Sequence, residues 1–187
     1  MVEHVKRLNR ELVYKGTILD YYKDTIELPD GNTEEWDFVS HRMGAAAILP
    51  VLPDGRIVMV RQYRNAIDRE TLEIPAGCRD SRTEDTAVCA EREMEEETGY
   101  RSTHVKHLLS LRTTVAFCDE FVDVYVATEL EPCTRHLDEA ESIDVEIYTL
   151  EELCSMIYQG KIQDGKTIAA IMAYASAVRG GLGETGE

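Results

Sequence analysis

The chain has 187 residues, with 36 Asp plus Glu against 20 Lys plus Arg and a formal net charge of −16. Apolar residues make up 43% and only 12 Gly and 5 Pro are present, which excludes a low-complexity chain and predicts one domain with a small N-terminal extension. Such acidity argues against a nucleic-acid backbone as partner, because phosphate contacts need a basic face; the acids are either a solvated surface or partly gathered to hold cations.

In chain order, residues 22–28 and 36–40 read as strands on either side of Pro29-Asp30-Gly31-Asn32, a strong turn signal. Residues 44–52 form an apolar run, followed by a second turn at Pro53-Asp54-Gly55 and a strand from Ile57 into Arg61-Gln62-Tyr63-Arg64. Residues 84–98 carry helical signals. Residues 121–127 and 143–149 read as further strands, and 150–159 and 167–178 as helices. The acidic, Gly-rich tail at 180–187 is expected to be disordered. Mixed strands with few helices predict an α+β or α/β sandwich. No apolar run approaches the ~20 residues of a membrane helix. The first six residues lack the apolar core of a signal peptide, so the expected compartment is the cytoplasm and no membrane partner is expected.

Cys78, Cys89, Cys118, Cys133 and Cys154 are odd in number and no two stand two residues apart. They are expected to be small, mostly buried side chains in a reducing compartment. The five histidines show no metal-ligand spacing, which disfavours zinc, and His41 is expected to be structural.

The informative segment is 73–100. Seven of the fourteen residues from Glu84 to Glu97 are acids, and Arg92 is the sole base among them. Thr83 is positioned to cap a helix there, Glu84 and Asp85 face the positive end of its dipole, and Gly99 is a good stop. At ~100° per residue, Ala87, Ala90 and Met94 form an apolar stripe. Glu93, Glu96 and Glu97 fall at i, i+3 and i+4 on the neighbouring face, where like charges destabilise a helix unless a cation neutralises them. Mg²⁺ suits the task, since it prefers oxygen ligands and commonly bridges one or two carboxylates and a substrate phosphate. A solvated acidic face is the bland alternative.

Gly77, then Glu84, then Arg92-Glu93-Met94-Glu95-Glu96-Glu97-Thr98-Gly99-Tyr100 resembles the Nudix box of the Nudix hydrolases. The one departure is the spacing: six residues separate Gly77 from Glu84 where the family has five, an insertion that a loop would absorb. Arg61-Gln62-Tyr63-Arg64, Leu72-Glu73-Ile74-Pro75-Ala76-Gly77 and Leu28-Pro29-Asp30-Gly31 look like the ADP-ribose pyrophosphatase branch. A second departure is Val115, where that branch usually carries Pro about sixteen residues after the last box Gly.

The resemblance implies a Nudix-type α/β/α sandwich with a mixed sheet over 43–179, an N-terminal antiparallel extension over 1–42 and a tail at 180–187. It implies Mg²⁺-dependent (or Mn²⁺-dependent) hydrolysis of a nucleoside diphosphate sugar, ADP-ribose foremost, to AMP and ribose 5-phosphate. GDP-mannose or ADP-glucose is the alternative substrate, and a non-catalytic ligand sensor the alternative class. It further implies Glu93, Glu97 and the Ala76 carbonyl as metal ligands, with Glu96 serving a further metal. Arg92 would orient the carboxylates, in one reading through Glu84. Arg61 or Arg64 and Glu73 would lie near the substrate, with Trp36 and Phe38 as candidates for stacking on the base. Glu141, or else Glu139, would be the general base. Relatives form homodimers in which N-terminal strands reach the partner's site, so a homodimer is expected.

Overall fold

The computed structural model describes residues 4–137 and 142–180. Its first three strands, β1 (Lys6–Lys15), β2 (Leu19–Glu27) and β3 (Thr33–His41), form an antiparallel sheet of their own. The turn expected at 29–32 joins β2 to β3, with the Asp30 carboxylate accepting the Asn32 amide at 2.9 Å. Two buried acids anchor this sheet. The Arg10 fork grips Asp24 and the Arg42 fork grips Asp20, and these hydrogen bonds hold both carboxyls below the usual range. The sequence reading does not find β1. Nine of its ten residues are exposed, and register shifts between Arg7 and Asn9 and between Leu12 and Tyr14 break the period-two pattern by which a strand is recognised.

The centre holds two further sheets. In one, β4 (Ala45–Pro50), β7 (Ala76–Cys78), β9 (His104–Arg112) and β10 (Phe121–Thr128) run in the order β7-β4-β10-β9, with β4 and β10 parallel. In the other, β5 (Ile57–Arg64), β6 (Arg69–Glu73) and β12 (Ile143–Tyr148) run in the antiparallel order β12-β5-β6. A short pair, β8 (Tyr100–Arg101) with β11 (Glu131–Pro132), completes the strands. The helices are α1 (Thr86–Thr98), α2 (Leu150–Tyr158) and α3 (Gly165–Gly180).

The apolar run at β4 is buried on both faces, as a strand inside a sandwich must be. Ala46 and Ile48 pack with Cys89, Ala90 and Met94 of α1, whereas Ala47 and Leu49 pack with Leu153, Ala170 and Ile171 of α2 and α3. This is the mixed-sheet sandwich expected from the sequence. Helix α2 starts on a capping box between Thr149 and Glu152.

Helix α1 differs from expectation at its start. Asp85 is the cap, accepting the Ala87 amide at 2.8 Å, and Thr83 is not. Glu84 belongs to the preceding loop, where its carboxylate accepts the Asp80 amide at 2.6 Å. Gly99 stops the helix in the left-handed region at φ 71°. Helix α3 runs two residues further at each end than expected and includes Gly180; residues 181–187 of the expected tail lie outside the described residues. All five cysteines are free, but only Cys89 and Cys154 are buried and Cys78 is exposed, so their burial is narrower than expected.

Candidate active site

The apolar stripe decides where the acids of α1 go. With Ala90 and Met94 docked on β4, the adjacent face turns toward the β7 edge, and Glu93 and Glu97 are both buried there. The Ala76 amide donates to Glu97 Oε2 at 3.1 Å. A Cβ placed on Gly77 would run into the Glu93 carboxylate, so only glycine lets the strand and that side chain lie so close. Arg92 ties the arrangement together. Its guanidinium reaches Glu93 at 2.7 Å, Glu96 at 3.0 Å, Glu84 at 3.4 Å and the Cys78 carbonyl at 3.1 Å. Burial opposes its charge, but Glu93 and the other acids prevail and raise its pKa further. Glu93, Glu96, Glu97 and Ala76 therefore meet at one edge.

Among the described residues, no three His, Cys, Asp or Glu side chains enclose an ion by themselves. A dedicated cage is not what Mg²⁺ needs, since it keeps several waters and takes one or two carboxylates together with substrate oxygens. Buried carboxylates beside the β7 backbone, with no Cys or His among them, fit such a hard cation better than zinc.

Next to this edge lies a cavity of about 540 Å³. Ala76, Gly77 and Cys78 line one side, Arg112, Thr113 and Glu120 another, and Arg64, Asp164 and Lys166 a third. A neighbouring cavity of about 440 Å³ shares Arg64, Asp164 and Lys166 and adds Thr71 and Glu73. Between them Glu73 is 2% exposed. Arg64 donates to its two oxygens at 2.7 and 2.6 Å, Thr71 donates at 2.6 Å, and Lys166 Nζ makes a further hydrogen bond. Burial alone would raise the Glu73 pKa, yet Arg64 and Lys166 outweigh it and bring it to about 2. His41 accepts the Gly44 amide at Nδ1, and its Nε2 lies 3.5 Å from Cys78 Sγ and 3.7 Å from Glu120. It knits β3 to β7, a structural role.

The NUDIX domain profile matches residues 40–171. The chain belongs to the Nudix family. Over 168 residues it is 36% identical to the ADP-ribose pyrophosphatase of Bacillus subtilis (strain 168), covering 89% of this chain and 90% of that protein. Over 168 residues it is 37% identical to the methanol dehydrogenase activator of Bacillus methanolicus, with the same coverage of 89% and 90%. A crystal structure of an ADP compounds hydrolase matches with a TM-score of 0.87, covering 97% of this chain and 98% of that one; at 18% identity, this is a likeness of fold.

The longer Nudix loop is absorbed without disturbing α1. Arg79 closes it by donating to the carbonyls of Met43, Arg82 and Glu84 at 2.6, 3.0 and 3.1 Å. Of the two arginines carried over from the Nudix resemblance, Arg64 lines the cavity and Arg61 does not. Their odd spacing on β5 sends them to opposite faces, and Arg61 is held by Glu146 of β12 at 2.5 and 3.1 Å. Trp36 and Phe38 line neither cavity. Trp36 is 44% exposed and donates to Glu34, while Phe38 lies 3.6 Å beneath the Arg10 guanidinium. Glu139 and Glu141 lie outside the described residues. The sequence reading misses Lys166, Asp164 and Arg112. Asp164-Gly165-Lys166-Thr167 carries only a helix-start signal, and no spacing links it to Glu73, 93 residues before Lys166.

Proposed function

We propose that this Nudix hydrolase cleaves the pyrophosphate bond of a nucleoside diphosphate sugar, ADP-ribose foremost, giving AMP and ribose 5-phosphate in the cytoplasm. The observation that carries this reading is a pairing of charges: Glu93, Glu96 and Glu97 gather against the Ala76–Gly77 edge, and Arg64 and Lys166 line the cavity that this edge also lines. Similarity over nine-tenths of the chain to an ADP-ribose pyrophosphatase supports the substrate. Glu93, Glu97 and the Ala76 carbonyl would hold Mg²⁺, or Mn²⁺ in its place, with Glu96 serving a further ion. Bound Mg²⁺ supplies Lewis acidity and lowers the pKa of water. Arg92 keeps the carboxylates oriented before the ion arrives, and Arg64 binds the diphosphate from its Glu73 anchor.

Glu141 is the proposed general base and Glu139 the alternative. A Glu141→Gln variant that loses no more rate than Glu139→Gln would reverse that assignment. Residues 1–42 are proposed to serve dimerisation, with Trp36 and Phe38 offered to the partner's site and 43–179 as the hydrolase unit. Exposed Leu8, Leu12, Val13, Tyr14 and Ile18 support such a face. The expected result is a dimer in sedimentation at micromolar concentration, and a monomer would refute it. Arg61 then acts through Glu146, away from the substrate.

A second reading within the class is GDP-mannose or ADP-glucose as substrate. It is favoured by Val115, 83% exposed, where the branch it resembles has Pro and a stiffer loop. A screen of ADP-ribose, GDP-mannose, ADP-glucose and NADH with Mg²⁺ separates these. Turnover of none of them would leave the ligand-sensor class in possession.

A further inference from the structure

Glu73 is gripped by the Arg64 fork through both oxygens, and such a pair taken alone is neutral. A guanidinium fully matched by a buried carboxylate presents little field to a substrate anion. Lys166 changes the balance. From the first turn of α3 it donates to the same Glu73 oxygen as Arg64 Nη2, and to Asp164 at 3.0 Å. Arg64, Lys166, Glu73 and Asp164 together carry no net charge; without Lys166 they would carry −1, within a chain already at −16. Both cations line the same cavity as Ala76 and Gly77.

A purely structural clasp between α3 and the residue that follows β6 is already provided by the neighbouring residue. Buried Thr167 accepts the Ile74 amide at 3.0 Å and donates to Asp164 at 2.6 Å, and its own amide goes to Asp164 at 3.0 Å. We infer that Lys166 is a positioning residue for a diphosphate: by sharing the Glu73 carboxylate it leaves part of the Arg64 charge directed into the cavity. This rests on the nucleoside diphosphate reading only for the identity of the anion.

The test is calorimetric binding of inorganic pyrophosphate with Mg²⁺ to the full chain and to its Lys166→Gln and Lys166→Arg variants. Gln keeps a donor without the charge, and Arg restores the charge. Pyrophosphate affinity falls about tenfold in Lys166→Gln and stays within about threefold in Lys166→Arg; both variants remain folded, with Tm lowered in Lys166→Gln, where Glu73 loses one of its two cations, and held in Lys166→Arg. Where a nucleotide sugar turns over, KM rises about tenfold in Lys166→Gln, kcat changes less, and the dependence of KM on salt becomes shallower. Unchanged affinity in Lys166→Gln, equal losses in the two variants, or no binding by the unaltered chain would each overturn the inference. If pyrophosphate binds as expected but no nucleotide sugar is hydrolysed, the proposed function fails and this inference stands.

Discussion

The two charged walls of the site, one behind the Ala76–Gly77 edge of the cavity and one lining the cavity itself, are built on opposite plans. On α1, Glu84, Glu93 and Glu96 contend for one arginine, Arg92, and Glu97 lies buried beside them against the Ala76 amide. In the cavity lining, Glu73 and Asp164 are matched by Arg64 and Lys166. The first wall has a surplus of carboxylates, which suits the proposed cation; the second is balanced, with its cations lining the cavity, which suits the proposed diphosphate. Like charges on one helix face are destabilising unless something neutralises them, whereas a buried acid with two cationic partners is self-sufficient. A divalent cation and a diphosphate are the pair of charges that completes both.

This contrast can be broken at each wall. The largest effect is expected from Glu97→Gln, which removes one anion from the surplus wall and keeps its shape: turnover with Mg²⁺ falls at least a hundredfold while the far-UV spectrum is retained. Near-normal kinetics would mean the metal site is misplaced. On the balanced wall, the Glu73 pKa of about 2 lies below its ordinary 4.5. Its contribution is therefore present above pH 4.5 and lost as pH falls through 2, on the order of 3 kcal/mol in all. Urea unfolding should weaken steeply across that window, and Glu73→Gln should flatten the slope while lowering stability at neutral pH. A smaller effect is expected for Gly77→Ala, whose Cβ displaces the Glu93 carboxylate. Turnover should fall about tenfold with little change in Tm, because the obstructed atom ends a flexible side chain. Glu96→Gln, half-exposed and at the rim, should cost only about threefold in rate.

Much of the surplus wall was legible in the chain, because its parts are local. Glu93, Glu96 and Glu97 follow helical spacing, the stripe of Ala90 and Met94 fixes which way they face, and Gly99 marks the stop. The balanced wall was legible only in half. Arg64 and Glu73 lie nine residues apart on adjacent strands, but Lys166 joins them from a helix far along the chain, a link no periodicity records. Arg61 and Arg64 looked equivalent as a motif, yet strand alternation separates them and Glu146, the partner that claims Arg61, is 85 residues away. Strand β1 was hidden by its own irregular register and exposure. The cap at Asp85 is masked because Thr83, two residues earlier, is an equally suitable capping residue, while Glu84 between them is used to close the loop.

The most direct measurement is product analysis of ADP-ribose incubated with the purified chain and Mg²⁺. The expected result is AMP and ribose 5-phosphate in equal amounts, suppressed by a chelator and by Glu97→Gln. Formation of these products at the same rate in Glu97→Gln, or their absence with Mg²⁺ and Mn²⁺ alike, would contradict it.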